Sequence, residues 1–112
     1  CTLARKLELI DEPREVLKNI PDLTVKYPYF GGKDTQCCGR GGSLGQTHSN
    51  LSEKITKKRV EELKKDAECI VTACPTCNTA FKGQGCEVYD ISELVFMGIG
   101  KENDGCKDKK IC

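Results

Sequence analysis

The apolar residues of this chain fall into short stretches whose spacing alternates between a helical and an extended pattern. Near the start, Leu3, Leu7 and Ile10 recur at helical spacing, which predicts a first amphipathic helix. A second short helix is predicted for residues 11–20, because Pro21 ends its pattern. Both segments are short enough to serve as connections between strands.

One long helix separates the strand-like segments that follow. The β-branched sequence LTVKY at residues 23–27 predicts a short strand, and residues 30–46 form a glycine-rich loop. Residues 50–67 have the strongest helical pattern, with Lys and Glu on the polar face. The apolar stripe of this helix consists of Leu51, Ile55, Val60 and Leu63. The continuous apolar run ECIVTAC at residues 68–74 predicts a strand buried on both faces.

The last predicted elements are a helix over residues 75–83, a strand over 86–90 and a helix over 91–99. This alternation predicts an α/β fold, in which helices flank a small parallel sheet. Since such units usually begin with a strand, we expect a first strand immediately before Cys1, outside this sequence. Residues 1–100 are predicted to form one domain, and residues 101–112 a polar, Lys-rich tail.

Composition argues against several classes of function. The 18 basic and 17 acidic side chains nearly cancel, so charge gives no indication of a surface for nucleic acid or membranes. With three Phe, three Tyr and no Trp, a surface for stacking nucleic-acid bases is not expected. The apolar sequence LVFMGIG is far shorter than the about 20 residues that a membrane span requires, so no span is predicted.

Nine cysteines among 112 residues are the most informative feature of the composition. An odd number cannot all pair within one chain, and the Lys- and Glu-rich helical sequence is unlike that of small secreted disulfide proteins. We therefore expect a cytoplasmic protein with reduced thiols that bind metal or perform redox chemistry.

Five of the cysteines stand at comparable places in the predicted pattern, at the start of a helix, in the glycine-rich loop after a strand, or at a strand end and the helix that follows it. They are Cys1, Cys37, Cys38, Cys74 and Cys77. Their separation is even, since 35 residues lie between Cys1 and Cys37 and 35 between Cys38 and Cys74. The carboxyl ends of parallel strands meet at one edge of a sheet, so we expect all five thiols to meet at one place.

The adjacent pair Cys37 and Cys38 favours several metal ions over a single one. In an extended chain, neighbouring side chains point to opposite sides, so both thiolates can hold one tetrahedral zinc only with a contorted backbone. A cluster of several irons offers ligation points on different metal ions, so the two adjacent thiolates can each bind a separate iron. We expect Gly39, Gly41 and Gly42 to let the backbone approach such a cluster and direct N–H groups towards it.

This cysteine pattern resembles that of the CCG cysteine-rich domain. The family occurs in the B and D subunits of heterodisulfide reductase and in the iron-sulfur subunit of glycolate oxidase. The resemblance rests on Cys1, on the sequence CCG at residues 37–39 and on CPTC at residues 74–77, and it covers about residues 1–99. The sequences EPREVLKNIP, KRVEELKKDAECIV and VYDISELV are also similar to that domain, in the same order.

The resemblance implies an iron-sulfur redox module with a non-cubane 4Fe-4S cluster. Its implied ligands are Cys1, Cys37, Cys38, Cys74 and Cys77. Such a cluster cleaves a disulfide in heterodisulfide reductase by one-electron steps, whereas other members pass electrons between a flavin subunit and a quinone-linked acceptor. The resemblance also implies that the chain is one of two CCG domains in a larger oxidoreductase.

The implied complex is similar to heterodisulfide reductase or to an oxidoreductase of 2-hydroxy acids or glycerol 3-phosphate. Its other members would be a second CCG domain and ferredoxin-type or flavin subunits. Such partner subunits would attach the domain to the inner face of the membrane.

The residues alone leave two other functions open. Four thiolates can bind zinc in a structural interaction domain, which leaves the fifth cysteine without a role. The CPTC sequence at the start of a helix also suits a thioredoxin-like dithiol enzyme, although no proline follows Pro75 to supply the cis-proline of such enzymes. We expect Cys69 and Cys86 to be structural residues, and Cys106 and Cys112 to be free thiols.

Overall fold

The computed structural model describes residues 1–100 and 110–111 of the chain. Its helices are α1 (Asp11–Lys18), α2 (Leu44–Thr47), α3 (Ser49–Leu63), α4 (Pro75–Lys82) and α5 (Ile91–Gly100). Its strands are β1 (Thr24–Val25), β2 (Ile70–Thr72), β3 (Val88–Asp90) and β4 (Lys110–Ile111). Apart from β4, the predicted polar tail with Cys106 and Cys112 lies outside the described residues. None of the described helices is both long and apolar enough to cross a membrane.

The strand pairs are parallel, as the sequence predicts, but they form two separate pairs rather than one sheet. β2 pairs with β3 from Ile70 opposite Val88 to Thr72 opposite Asp90. β1 pairs with β4, a strand that the sequence pattern does not reveal. The structure therefore confirms an α/β fold with small parallel sheets, while β1 and β2 do not pair with each other.

Two predicted helices differ in extent from those in the structure. The first is reduced to one π-helical turn, Thr2–Lys6, in which no residue is buried. So short a helix depends on tertiary packing for its stability, and apolar spacing alone does not provide it. The long helix ends at Leu63 rather than at residue 67, and the chain beyond it turns so that Ala67 and Cys69 enter the core.

Strand β2 lies between two helical layers. Ile70 packs on one side of the strand in a cluster with residues of α3 and α4. On the other side, Cys69 and Val71 belong to a cluster with Leu17 of α1 and Leu94 of α5. Because successive strand side chains point to opposite faces, β2 is covered on both, as its continuous apolar run predicts.

Arg59 of α3 connects this helix to the chain segment that leads to the cysteine doublet. Its side chain is 6% exposed, and its Nη1 forms an ion pair with Oε2 of Glu62 at 2.8 Å, without the alignment of a hydrogen bond. Its Nη2 donates to the carbonyl of Phe30 at 2.8 Å. The buried guanidinium thus fixes the start of the loop that contains Cys37 and Cys38.

We expect Arg59→Met to lower the free energy of unfolding by about 3 kcal/mol, because it leaves the Glu62 carboxylate and the Phe30 carbonyl without their partner. Urea unfolding followed by circular dichroism measures this change. Lys58→Met is the matched control, since Lys58 is exposed on the same helix and its replacement should have little effect. Equal losses in the two variants would contradict this role of Arg59.

Candidate metal centre

The amino end of α4 carries two of the predicted thiols. Cys74 precedes the first helical turn, Pro75 opens that turn, and Cys77 lies within it. The backbone N–H of Cys74 donates to Oγ1 of Thr72 at 3.1 Å, which fixes the passage from β2 into the helix. Burial raises the pKa of the Cys74 thiol, but hydrogen bonds with Cys77 and Thr76 outweigh burial and lower this pKa overall.

Two buried hydroxyl groups hold the loop that carries Cys37 and Cys38 against α3. We call residues 37–42 the doublet loop. Oγ1 of Thr56 donates to the carbonyl of Cys38, and Oγ of Ser52 donates to the carbonyl of Gly39, each at 2.7 Å. Both side chains are 1% exposed. The apolar pattern of the sequence does not reveal these two residues, which are polar and lie one helical turn apart on the face that α3 buries. Their effect is to fix the backbone of Cys38 in the interior.

Gly39 permits this close approach of the loop to α3. Its φ is +89°, and a Cβ at this position would lie 2.6 Å from the carbonyl oxygen of Ser52 and 2.8 Å from Oγ1 of Thr56. Any other residue would meet both a steric clash and an unfavourable backbone conformation. The N–H of Gly39 donates to Sγ of Cys37 at 3.3 Å, so the loop backbone supplies a hydrogen bond to one of the candidate ligands.

The other two glycines of the loop have different surroundings. A Cβ at Gly41 would lie 3.8 Å from Sγ of Cys37, so this glycine leaves free space beside that sulfur. Gly42 has a φ of +61° and no atom within 4 Å of the position of a Cβ. Gly41 is therefore adjacent to a candidate ligand, whereas Gly42 serves the turn.

Four of the predicted thiols shift one another's pKa values pairwise, in the order Cys37, Cys38, Cys77 and Cys74, and we call these four the row of thiols. The hydrogen bond with Cys77 lowers the pKa of Cys38 to about 6, although burial opposes this shift. The same hydrogen bond raises the pKa of Cys77, and burial and the charges of Cys38 and Cys74 add to the increase. Without metal, the Cys38–Cys77 pair therefore shares one proton near neutral pH.

Cys1 is exposed and lines a groove of about 530 Å³ together with Cys38, Cys74 and Cys77. Cys37 does not line this groove and joins the other thiols through its contact with Cys38. Within the described part of the chain, no three His, Cys, Asp or Glu side chains are arranged to hold a single metal ion. In this structure the thiols thus lie beside one groove without the tetrahedral arrangement of a single-ion site.

The remaining described cysteines, Cys69 and Cys86, lie in the apolar core. Cys69 is fully buried, and Cys86 is 8% exposed with its Sγ 3.9 Å from the carbonyl oxygen of Gln84. Neither residue lines the groove. Both belong to the apolar clusters of the core, as the sequence predicts.

We expect the metal-free protein to carry one thiolate, shared by Cys38 and Cys77, at neutral pH. Because the pKa of Cys38 is about 6, this thiolate is present above that pH and is lost as the pH falls through it. An anaerobic pH titration of the ultraviolet absorbance of thiolate measures the change. Cys77→Ala should move the transition up towards the ordinary cysteine pKa of about 8.5, because it removes the hydrogen bond. An unchanged transition in Cys77→Ala would contradict the assignment, and Cys86→Ala provides the control.

Comparison with known proteins identifies the family. The family model described as the CCG cysteine-rich domain matches residues 1–82. The chain belongs to this family. The matched region contains Cys1, the row of thiols and the three glycines of the doublet loop. No solved structure matches the chain.

Curated relatives of this CCG domain are much longer proteins. One subunit of the fumarate reductase (CoM/CoB) of Methanothermobacter marburgensis is 32% identical over 110 residues, which cover 91% of this chain and 22% of that protein. One subunit of the dihydromethanophenazine:CoB–CoM heterodisulfide reductase of Methanosarcina barkeri is 30% identical over 108 residues, or 89% and 26% of the two chains. An uncharacterized iron-sulfur protein of Methanocaldococcus jannaschii is 31% identical over 78 residues, or 69% and 15%. The chain thus spans about a quarter or less of the length of these relatives.

Proposed function

We propose that this CCG domain is an iron-sulfur redox module of a larger oxidoreductase. The proposed ligands of its cluster, a 4Fe-4S cluster of the non-cubane type, are Cys1, Cys37, Cys38, Cys74 and Cys77. The observation that carries this proposal is the single groove that Cys1, Cys38, Cys74 and Cys77 line together, with Cys37 next to Cys38. The names of relatives support it, since two are reductase subunits and a third is an iron-sulfur protein.

The donor set suits an iron-sulfur cluster better than zinc. Cysteine thiolates are the usual ligands of such clusters, and a cluster with several irons can be reached from thiols arranged in a row. Gly41 leaves space beside Cys37, and Cys38 has a thiolate at neutral pH. A structural zinc site takes four ligands in a tetrahedron, which would leave one of the five thiols unused.

A cluster of this kind supplies one-electron transfer when it is bound. The protein's own groups determine where it lies and how its charge is stabilised. Thr56 holds the backbone of Cys38 in place, and the N–H of Gly39 directs a partial positive charge at the sulfur of Cys37. The amino end of α4 presents the positive end of its dipole beside Cys74. Hydrogen bonds to sulfur and buried dipoles are the features by which proteins adjust cluster potentials.

We infer that the electrons pass to a disulfide or to a quinone-linked acceptor. Two relatives named above carry the thiol coenzymes CoM and CoB in their names, which favours the disulfide. The groove of about 530 Å³ beside Cys38, Cys74 and Cys77 offers space for such a substrate next to the proposed centre. A second CCG domain and ferredoxin-type or flavin subunits would complete the complex. We place this complex in the cytoplasm, where thiols stay reduced, and its partner subunits would attach it to the inner face of the membrane.

Low-temperature electron paramagnetic resonance of the intact, anaerobically reconstituted protein tests this function. For a centre that binds its disulfide substrate, we expect oxidation in the presence of a thiol to produce a paramagnetic signal that is absent without the thiol. An iron-loaded protein whose spectrum does not respond to any thiol would contradict the disulfide role and favour a simple electron relay. A protein loaded with zinc alone would contradict both.

A further inference from the structure

Two cysteines of the candidate metal centre lie at the start of α4, one helical turn apart. Cys74 is the residue before the helix, Pro75 is its first residue, and Cys77 is its third. Side chains at these two positions of a helix reach towards each other, as the polar pair of a capping box does. A disulfide requires Cα atoms about 4.4–6.8 Å apart, a range that residues one helical turn apart satisfy. The positions of this pair are thus compatible with a bond between the two sulfurs.

The backbone of this turn is fixed on both sides of Cys74. The N–H of Cys74 donates to Oγ1 of Thr72 at 3.1 Å, and the N–H of Asn78 donates to the carbonyl of Cys74 at 2.9 Å. Pro75 adds rigidity, because its ring fixes the backbone angle φ. Rotation of the two cysteine side chains can therefore bring the sulfurs together while the helix keeps its hydrogen bonds.

The groove gives small molecules access to this pair of thiols. Cys74 and Cys77 are half-buried, and both line the groove of about 530 Å³. Cys77 also packs against the apolar cluster of the core. Because Cys38 is only 7% exposed, an oxidant that enters the groove meets Cys74 before it meets Cys38.

We propose that Cys74 and Cys77 form a disulfide when the domain is without its cluster and meets a low-molecular-weight disulfide such as oxidised glutathione. The sulfur of Cys74 attacks one sulfur of the oxidant, forms a mixed disulfide and releases the first glutathione. The sulfur of Cys77 then attacks the mixed disulfide at Cys74 and releases the second glutathione. The two cysteines lose two electrons and two protons, and the oxidant gains both as two glutathione thiols.

The disulfide would act as a switch on cluster assembly, a consequence that rests on the proposed function. Metal ions bind cysteine as the thiolate, so the disulfide withdraws two of the five proposed ligands at once. Cys1, Cys37 and Cys38 remain, which is fewer than the four cysteines that usually hold an iron-sulfur cluster. Reduction of the disulfide by a thiol restores the pair, so the domain takes up its cluster only under reducing conditions.

Peptide mapping of the intact protein in its metal-free form tests for this disulfide. The protein is incubated anaerobically with oxidised glutathione, unfolded, alkylated at its free thiols and cut with trypsin after lysine and arginine. The fragment 66–82 contains Cys69, Cys74 and Cys77, and the fragment 34–40 contains the cysteine doublet. We expect the fragment 66–82 to be alkylated at Cys69 alone and to be about 2 Da lighter than the same fragment with two free thiols.

The variant Cys74→Ser is the matched control for this measurement. It should keep its fold, because serine is a favourable residue at the position before a helix, and its fragment 66–82 should contain no disulfide. A disulfide in that fragment of Cys74→Ser would overturn the proposal, because the bond would then join Cys69 and Cys77. In the unaltered protein, a cross-link between the fragments 66–82 and 34–40, alkylation of all three cysteines, or glutathione that stays attached would each overturn it as well.

Iron uptake by the oxidised and the reduced protein tests the switch. Both samples are offered iron and sulfide anaerobically without added thiol, and alkylation of aliquots shows how long the disulfide persists. While it persists, we expect the oxidised sample to bind about tenfold less iron than the reduced one, and dithiothreitol to restore full uptake. Equal uptake by the two samples would overturn the switch. A reduced sample that binds no iron would instead contradict the proposed function and leave the disulfide unaffected.

Discussion

Replacing Cys38 with serine is expected to abolish assembly of the metal centre. Cys38 is central in the row of thiols, because its side chain contacts both Cys37 and Cys77. A serine hydroxyl does not ionise near neutral pH and is a poor ligand for iron. We expect the iron content after anaerobic reconstitution to fall from about four per chain to below about one. Iron and acid-labile sulfide analysis measures this loss.

The matched control for this variant is Cys86→Ser. Cys86 is 8% exposed and Cys38 is 7% exposed, but Cys86 does not line the groove. The fold should survive in Cys38→Ser, because Thr56 bonds to the backbone carbonyl of this residue and not to its side chain. Circular dichroism checks the fold of both variants. Full iron content in Cys38→Ser, or equal losses in the two folded variants, would show that Cys38 is not a specific ligand.

Replacing Gly39 with alanine is expected to be the most destabilising change in the doublet loop. The new Cβ would lie 2.6 Å from the carbonyl oxygen of Ser52, and neither backbone can move without loss of the hydrogen bonds at Ser52 and Thr56. Overpacking and the positive φ together should lower the free energy of unfolding by about 3–5 kcal/mol. Urea unfolding of the metal-free protein measures the change, and the displaced loop should also lower iron uptake.

Gly42→Ala separates the steric effect from the backbone effect. Gly42 also has a positive φ, of +61°, but a Cβ there meets no atom within 4 Å. The loss of stability should therefore be only about 1 kcal/mol, which is the cost of a left-handed conformation for an L-residue. If Gly39→Ala were no more destabilising than Gly42→Ala, the result would contradict the close packing of the doublet loop against α3.

The sequence predicts the parts of this structure that depend on local pattern. The apolar run around Ile70 predicts a strand covered on both faces, because a continuous run lacks a polar side for solvent. The even spacing of Cys1, Cys37 and Cys74 predicts that the thiols meet, because each interval is about as long as one strand-helix-strand passage. In the structure, Cys1 and Cys74 line one groove, and Cys37 joins it through its neighbour.

Other features depend on tertiary contacts that no local pattern contains. The first predicted helix forms only one turn, because Thr2–Lys6 has no buried residue to stabilise it. The separation of β1 from β2 is also invisible in the sequence, since strand order is decided by packing between distant segments. Ser52 and Thr56 act through the backbone of the doublet loop, a contact that helical periodicity alone does not predict.

The central claim is that these thiols hold one cluster of several irons. The most direct test is anaerobic reconstitution of the intact protein with iron, sulfide and zinc offered together, followed by metal and acid-labile sulfide analysis. We predict iron and sulfide contents of about four each per chain, with little zinc. A colourless protein that contains about one zinc per chain and no acid-labile sulfide would contradict the claim.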